Sequence, residues 1–190
     1  MAKIINVKGR QVFDSRGNPT VEAEVFLNND ISASAISPSG ASTGAFEAHE
    51  LRDQDKNNFL GKSVKKAVEN INTKIASSLK GLDSADQFKI DKALLDLDGS
   101  ENKKNLGANA TLAVSLASSK SAALAAKKPL YKNLGKSFSL PIPLMNIING
   151  GVHADNDLNI QEFMIRPDSA KNFMNAVEKC FLVIQNLKVL

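Results

Sequence analysis

Three polar segments of the 190-residue chain carry side chains whose types and spacing suit chemistry. The first, SPSGASTG at residues 37–44, combines two glycines with three serines and a threonine. Such a segment can offer backbone N–H groups to an anion and hydroxyl oxygens to a hard cation such as Mg²⁺. It lacks the lysine of a P-loop. The composition therefore predicts either an anion or magnesium site or an ordinary surface loop.

The second segment, NGGVHADNDLNIQEF at residues 149–163, separates two short apolar runs. Gly150 and Gly151 predict a tight turn after a strand, and His153 follows directly. Gln161 and Glu162 lie at the start of the next strand, and Glu162 precedes the apolar residues FMI. Loops at strand ends carry the chemistry of α/β barrels, and a partly buried Glu162 could act as an acid. A histidine in a polar loop is equally compatible with simple solvation.

The third segment, FDSRGNPTVE at residues 13–22, reads as a turn between two strands with Arg16 at its tip. Asp, Ser, Gly, Asn and Pro are typical turn residues. Arg16 is either an exposed arginine of a structural turn or a residue that pairs with a carboxylate of another subunit, which its planar guanidinium suits.

The elements that must position these segments follow from hydrophobic periodicity. Residues 3–14, 20–27 and 31–37 predict three strands of an antiparallel meander. Helices are predicted at 63–80, at 84–97 behind a Ser84/Gln87 capping box, and at the alanine-rich residues 109–127. Three strands followed by three helices predict an α+β domain over residues 1–137.

A second region is predicted at residues 138–190. Two apolar runs, LPIPLMNII and IQEFMI, precede a helix at 169–188. That helix is predicted to bury Cys180 and to turn one apolar stripe inward, made of Phe173, Val177, Phe181, Ile184 and Leu187. Two strands and one helix cannot close a sheet, so we expect the opening of a larger α/β unit that is incomplete in this chain.

The bulk composition narrows the class of protein. The chain has 43% hydrophobic and 23% charged residues, and its net charge of +4 is dispersed along the sequence. Aromatic residues make up 5%, and tryptophan is absent, which disfavours a nucleic-acid-binding face. A single cysteine fits a reducing, cytoplasmic compartment, and no apolar run is long enough for a membrane span.

Four motifs, taken in order, resemble the enolase family: FDSRGNPTVE, PSGASTG with EAHELRD, GANATLAVSLA, and NGGVHADNDLNIQEFMI. The resemblance runs from about Ile4 to Leu190 and implies the N-terminal part of such a protein. It implies a small α+β domain followed by an α/β barrel, and a Mg²⁺-dependent, cytoplasmic enzyme that interconverts 2-phosphoglycerate and phosphoenolpyruvate. It also implies a homodimer or higher oligomer and allows a surface or secreted fraction.

The resemblance further implies roles for particular residues. Ser42 would supply oxygen to a magnesium ion from a lid over the substrate. His153 would approach the substrate phosphate, Gln161 would bind substrate, and Glu162 would lie near the departing hydroxyl. Arg16 and Glu22 would lie at the dimer interface. These roles belong to the known family mechanism and do not derive from spacing or composition.

This chain departs from the family in its length, because family chains are more than twice as long. The difference affects whether the chain alone can be active. The base lysine, the second glutamate and the carboxylate ligands of the main magnesium ion are expected beyond Leu190. We therefore expect this chain alone to be inactive. The alternative is a shortened, non-catalytic binding or interaction module, against which the exposed strand edges of an unfinished barrel argue.

Overall fold

The computed structural model describes residues 1–40 and 44–189, so Ser42 lies outside the described residues. Contacts between Cα atoms divide the chain into two compact units, Met1–Lys136 and Ser137–Leu190. Each unit is described by itself below.

A three-stranded antiparallel sheet forms the base of the first unit. Its strands are β1 (Ile4–Phe13), β2 (Pro19–Leu27) and β3 (Ser32–Ser37), in the order β1-β2-β3. Alternate residues of β2 are fully buried, which confirms the predicted period of two. They are Val21, Ala23, Val25 and Leu27.

The predicted helix at 63–80 forms in three pieces: α1 (Lys65–Asn70), a π-helical turn (Ile71–Ile75) and α2 (Ala76–Leu79). Its buried stripe includes Ala67, Ile71, Ile75 and Leu79. At the π-helical turn, the Asn72 side chain accepts a hydrogen bond from Gly9 N at 2.8 Å and donates one to Gly9 O at 3.2 Å. These two hydrogen bonds with β1 fix the helix against the sheet. Periodicity alone did not predict them.

The next helix, α3 (Gln87–Asp98), begins differently from the prediction. Its N-cap is Asp86, whose carboxylate accepts from Lys89 N at 3.1 Å. The Ser84/Gln87 capping box is therefore wrong: the Gln87 amide donates to Asp91 and Ser115 instead. An aspartate one residue before the helix caps it as well as serine does, so the two signals compete.

Small residues let α4 (Ala108–Ala125) pack closely on the sheet. Its contacts are mainly with β2 and β3, and its buried residues include Ala110, Ala113, Val114 and Ala117. The hydroxyl of Ser118 bonds back to Val114 O at 2.8 Å, so this buried polar group is satisfied within the helix. A short helix, α5 (Leu130–Leu134), follows Pro129.

The second unit contains one strand pair and one helix. Strand β4 (Met145–Asn149) pairs antiparallel with β5 (Glu162–Ile165), a 3-10 turn spans Gly151–His153, and α6 covers Phe173–Leu187. Antiparallel pairing differs from the parallel strands of an ordinary α/β barrel. Among the described residues of the whole chain, no helix is both long and apolar enough to cross a lipid bilayer.

The apolar stripe predicted for α6 is only partly correct. Cys180 and Ala176 are buried, which confirms the interpretation of the cysteine. Phe173, Phe181 and Leu187 are exposed, so the inward orientation predicted for them is wrong within this unit. Val177 and Ile184 are half-buried, so the covered side of the helix centres on the two small residues.

Candidate functional site

A glycine turn places His153 beside the start of β5. Gly150 N donates to Gln161 O at 3.0 Å, and Gly151 N donates to Leu158 O at 2.7 Å. A Cβ atom on Gly150 would lie 2.5 Å from Ile160 O and 2.6 Å from Leu158 Cβ. Only glycine allows the two stretches of backbone to approach this closely.

Three residues predicted from sequence meet at this turn. His153 Nδ1 lies 3.2 Å from Glu162 Oε1, and His153 Nε2 lies 2.8 Å from Gln161 Nε2. The His153 and Glu162 side chains are 24% and 31% exposed. We call His153, Gln161 and Glu162 the imidazole cluster.

The imidazole cluster combines groups suited to anion binding and proton transfer. The amide of Gln161 can donate hydrogen bonds, and imidazole and carboxyl side chains can each take up or release a proton. Partial exposure leaves these groups accessible to a ligand from solvent. His153 is thus contacted by two side chains, while the residue itself remains exposed to solvent.

In the first unit, Arg52 anchors the described start of the glycine- and serine-rich segment. Its guanidinium donates to Ser39 Oγ at 2.8 Å, to Glu50 Oε1 at 2.7 Å and to Pro19 O at 2.9 Å. The Ser39 hydroxyl also donates to Glu50. Sequence reasoning missed Glu50 and Arg52, although their alternating charges directly after the segment were a usable signal.

The segment containing Glu50 and Arg52 is held against the start of α4. Asn109 Oδ1 accepts from Leu51 N at 3.2 Å, and Asn109 Nδ2 donates to Leu51 O at 3.0 Å. Ala108 N donates to His49 O at 2.8 Å. A cavity of about 530 Å³ lies at the base of the segment, and its lining includes His49, Glu50, Arg52, Ala108 and Asn109. The Asn109 side chain therefore pairs with the backbone of Leu51 in the way that a neighbouring strand would.

Arg16 is engaged within the chain. Its guanidinium donates to Ser39 O at 2.7 Å, and its backbone N–H donates to the Asp14 carboxylate at 2.9 Å. Asp14 also accepts from Asn18 N at 2.9 Å, and this bond, followed by the one from Arg16, lowers the pKa of the Asp14 carboxyl. The turn is thus an Asx-type turn, as its composition predicted. The place of Arg16 at a dimer interface stays a prediction.

Glu22 lies on the sheet face opposite the core. It forms an ion pair with Arg10 Nη1 at 2.8 Å, and Arg10 also contacts Glu24. The hydrogen bonds to Glu24 and Glu22 raise the pKa of Arg10, and the bond from Arg10 lowers the pKa of Glu24. Two carboxylates therefore share one arginine within the chain. A dimer contact of Glu22 also stays a prediction.

The two units together define a class of architecture: an α+β domain followed by the opening elements of an α/β barrel domain. Comparison with protein-family models matches residues 4–134 to "Enolase, N-terminal domain" and residues 137–190 to "Enolase, C-terminal TIM barrel domain". The chain belongs to the enolase family.

A curated relative supports this assignment. The chain is 58% identical over 192 residues to the enolase of Pelagibacter ubique (strain HTCC1062). The alignment covers all of this chain and 46% of the relative, so the chain spans about half the length of that protein.

Proposed function

We propose that the whole protein is a phosphopyruvate hydratase, a lyase of glycolysis that interconverts 2-phosphoglycerate and phosphoenolpyruvate. The imidazole cluster is the observation that carries this proposal. It joins three side chains of suitable chemistry in a segment that matches the barrel domain of the enolase family. The name of the 58% identical relative, enolase, supports the same reaction.

In this proposal each member of the imidazole cluster has one role. His153 approaches the substrate phosphate, Gln161 donates a hydrogen bond to substrate, and Glu162 lies near the hydroxyl that departs. A carboxyl group at that position can protonate the departing oxygen as a general acid. The contact of Glu162 with the imidazole supports this role because it directs one carboxylate oxygen at a group that can exchange protons.

Membership of the family implies a divalent metal cofactor, and we propose Mg²⁺ with Ser42 as one of its ligands. Bound Mg²⁺ would stabilise the negative charge of the enolate that forms during the reaction. Within residues 1–40 and 44–189, no group of three His, Cys, Asp or Glu side chains could hold a metal ion. These residues alone do not fit a complete site, and we derive no step through the metal.

We propose further that residues 1–137 and 138–190 act as separate domains, the second incomplete in this chain. The compact units Met1–Lys136 and Ser137–Leu190 support this division. We also propose a cytoplasmic homodimer or larger oligomer with Arg16 and Glu22 at its interface. We expect the 190-residue chain alone to lack activity. The base lysine and the main metal ligands of the family are expected in the part of the relative that this chain does not cover.

The experiment that tests the function is an assay on the longest polypeptide made from this gene. Conversion of 2-phosphoglycerate should require Mg²⁺ and should fall by about 100-fold or more in Glu162→Gln, as general acid catalysis implies. Asp155→Asn in the same loop is the matched control and should retain activity. A Glu162→Gln protein with full activity would remove the proposed role.

The native mass of the polypeptide in its source cells decides between the two hypotheses. A mass well above 20.4 kDa favours an enzyme in which this chain supplies one part of the site. A mass near 20.4 kDa, without turnover, favours the non-catalytic binding module. Turnover by the 190-residue chain alone would contradict the expectation that it is inactive.

A further inference from the structure

The contacts of His153 constrain where its ring protons lie. An ionised carboxylate accepts hydrogen bonds and cannot donate them. Glu162 Oε1 lies 3.2 Å from His153 Nδ1, so Nδ1 carries the hydrogen in this contact whenever Glu162 is ionised. When the ring is neutral, it carries only one N–H, and Nε2 is then a bare acceptor.

The opposite side of the ring meets a donor that matches this arrangement. Gln161 Nε2 lies 2.8 Å from His153 Nε2, and an amide nitrogen donates but does not accept. The carboxylate and the amide therefore specify the same tautomer from opposite sides of one ring. Which ring nitrogen carries the proton is set by the hydrogen bond at the other nitrogen.

We propose that Gln161 is a positioning residue that holds His153 in its Nδ1–H tautomer by donating to Nε2, while Glu162 accepts from Nδ1. The effect of this arrangement on turnover rests on the proposed function. The arrangement itself is a property of the folded chain.

The tautomer decides which hydrogen the cluster presents to a ligand. Because Nε2 of the neutral ring has no hydrogen, it can donate to an anionic oxygen such as a phosphate only when the ring is doubly protonated. The Gln161 amide carries two N–H groups, one of which is used by Nε2. Its second N–H is then the donor available on that side of the ring. Gln161 thus acts both through His153 and as a neutral donor for an anion.

Nuclear magnetic resonance of the ¹⁵N-labelled 190-residue chain tests this directly. The chain has two histidines, and His49 in the first unit serves as an internal reference. Long-range ¹H–¹⁵N spectra at one mildly alkaline pH distinguish the two tautomers. We expect the Nδ1–H pattern for His153 in the unsubstituted chain.

Two substitutions separate positioning from packing. In Gln161→Leu the donor is lost, and the ratio of Nδ1–H to Nε2–H tautomer should fall by about 3- to 10-fold, the value of one net hydrogen bond. In Gln161→Glu the new carboxylate can only accept, so the ring should shift toward the doubly protonated form at the same pH. Gln185→Leu and Gln185→Glu, on the exposed side of α6, are the matched controls and should change neither signal.

Two results would overturn the inference: a dominant Nε2–H tautomer in the unsubstituted chain, or an unchanged tautomer ratio in Gln161→Leu. If Gln161→Leu loses the dispersed spectrum of a folded chain, the unsubstituted chain and Gln161→Glu still decide. No substrate is used, so the outcome is independent of catalysis. A full-length protein without hydratase activity but with this tautomer would remove the proposed function and retain the inference.

Discussion

The two units of this chain bury their apolar side chains to very different degrees. The first unit encloses a continuous buried cluster that includes Ile4, Leu27, Ile71 and Ile75. In the second unit, Ala176 and Cys180 are the buried apolar residues among those described, while Phe181, Leu182 and Val183 are exposed. The first unit therefore has a core of its own, whereas the second is organised mainly by local signals.

This difference shows which interactions place functional side chains in each unit. In the second unit a glycine turn and backbone hydrogen bonds bring His153 beside Gln161 and Glu162. In the first unit, the Arg52 anchor depends on packing between α4 and the sheet. We expect substitutions in the first unit to act on global stability and those in the second to act locally.

The sharpest test of this comparison removes one large apolar side chain from each unit. Ile75→Ala should lower the free energy of unfolding of the first unit by about 2–5 kcal/mol, because Ile75 is 0% exposed and its loss leaves a cavity. Phe181→Ala should cost less than about 1 kcal/mol, because that ring is 57% exposed. Urea unfolding followed by residue-resolved spectra measures both. Equal losses would contradict the comparison.

A second test uses the glycine that precedes α4. Gly107 has a φ of 95°, and a Cβ there would lie 2.5 Å from Asn109 Oδ1 and 2.6 Å from Leu51 Cβ. Gly107→Ala combines left-handed strain with overpacking and should destabilise the first unit by about 2–4 kcal/mol.

The control for Gly107 is Gly17→Ala. Gly17 has a φ of 75° with nothing within 4 Å of the added Cβ, so strain alone should cost about 1–2 kcal/mol. A chemical-denaturation series compares the two variants. A cost for Gly107→Ala no larger than for Gly17→Ala would show that the Leu51 segment can move away from α4.

The third test targets the second unit. Gly150→Ala places a Cβ against Ile160 O and should strain the β4–β5 turn by about 1–3 kcal/mol, separating His153 from Glu162. Loss of nuclear Overhauser contacts between those side chains measures this. Gly44→Ala, whose nearest atom would be 3.6 Å away, is the control. If Gly150→Ala lowered the stability of the first unit by a similar amount, the local character of the second unit would be contradicted.

A fourth, smaller effect concerns pH and Asp98, which is 3% exposed. Burial opposes ionisation most strongly, but hydrogen bonds from Ser100, Leu106 N and Asn105 together lower the pKa of the Asp98 carboxyl. Its stabilisation is therefore complete above the unfolded pKa of about 3.9 and is lost as pH falls through the lower folded value.

Asp98→Asn should accordingly lower the free energy of unfolding of the first unit by about 1–2 kcal/mol at pH 7. Below about pH 4, the stability of this variant should fall less steeply with pH than that of the unsubstituted chain. Thermal unfolding from neutral to acid pH checks both effects. The control, Asp96→Asn, alters an exposed pair with Lys92 and should change little. An Asp98→Asn protein with the same acid dependence as the unsubstituted chain would refute this assignment.

The smallest expected effect is at the exposed face of the sheet. Arg10→Met removes the pairs with Glu22 and Glu24 and should cost less than about 1 kcal/mol, because the Arg10 side chain is 39% exposed. The cost should shrink as salt is added, which urea unfolding at two ionic strengths measures. A salt-independent loss of several kcal/mol would indicate that the arginine stem packs on the sheet.

Sequence reasoning succeeded where one local signal dominates. The alternation of Val21, Ala23 and Val25 predicted a half-buried strand, and the alanines of α4 predicted a helix that packs closely. The pair Gly150-Gly151 predicted a turn that the structure contains, and this turn brings His153, Gln161 and Glu162 together, although their functional roles stay predictions. In each case the neighbouring residues alone carry the physical preference.

Other features depend on partners that are distant in sequence, so no local pattern contained them. The π-helical turn pairs Asn72 with Gly9, and Arg52 joins Pro19, Ser39 and Glu50. Residue types and periodicity were sufficient to assign the α+β order and the candidate chemistry, and four sequence motifs carried the family resemblance. Only the tertiary structure decided which carboxylate meets which cation and which face of α6 is covered, because burial and hydrogen bonding depend on what the rest of the fold brings into contact.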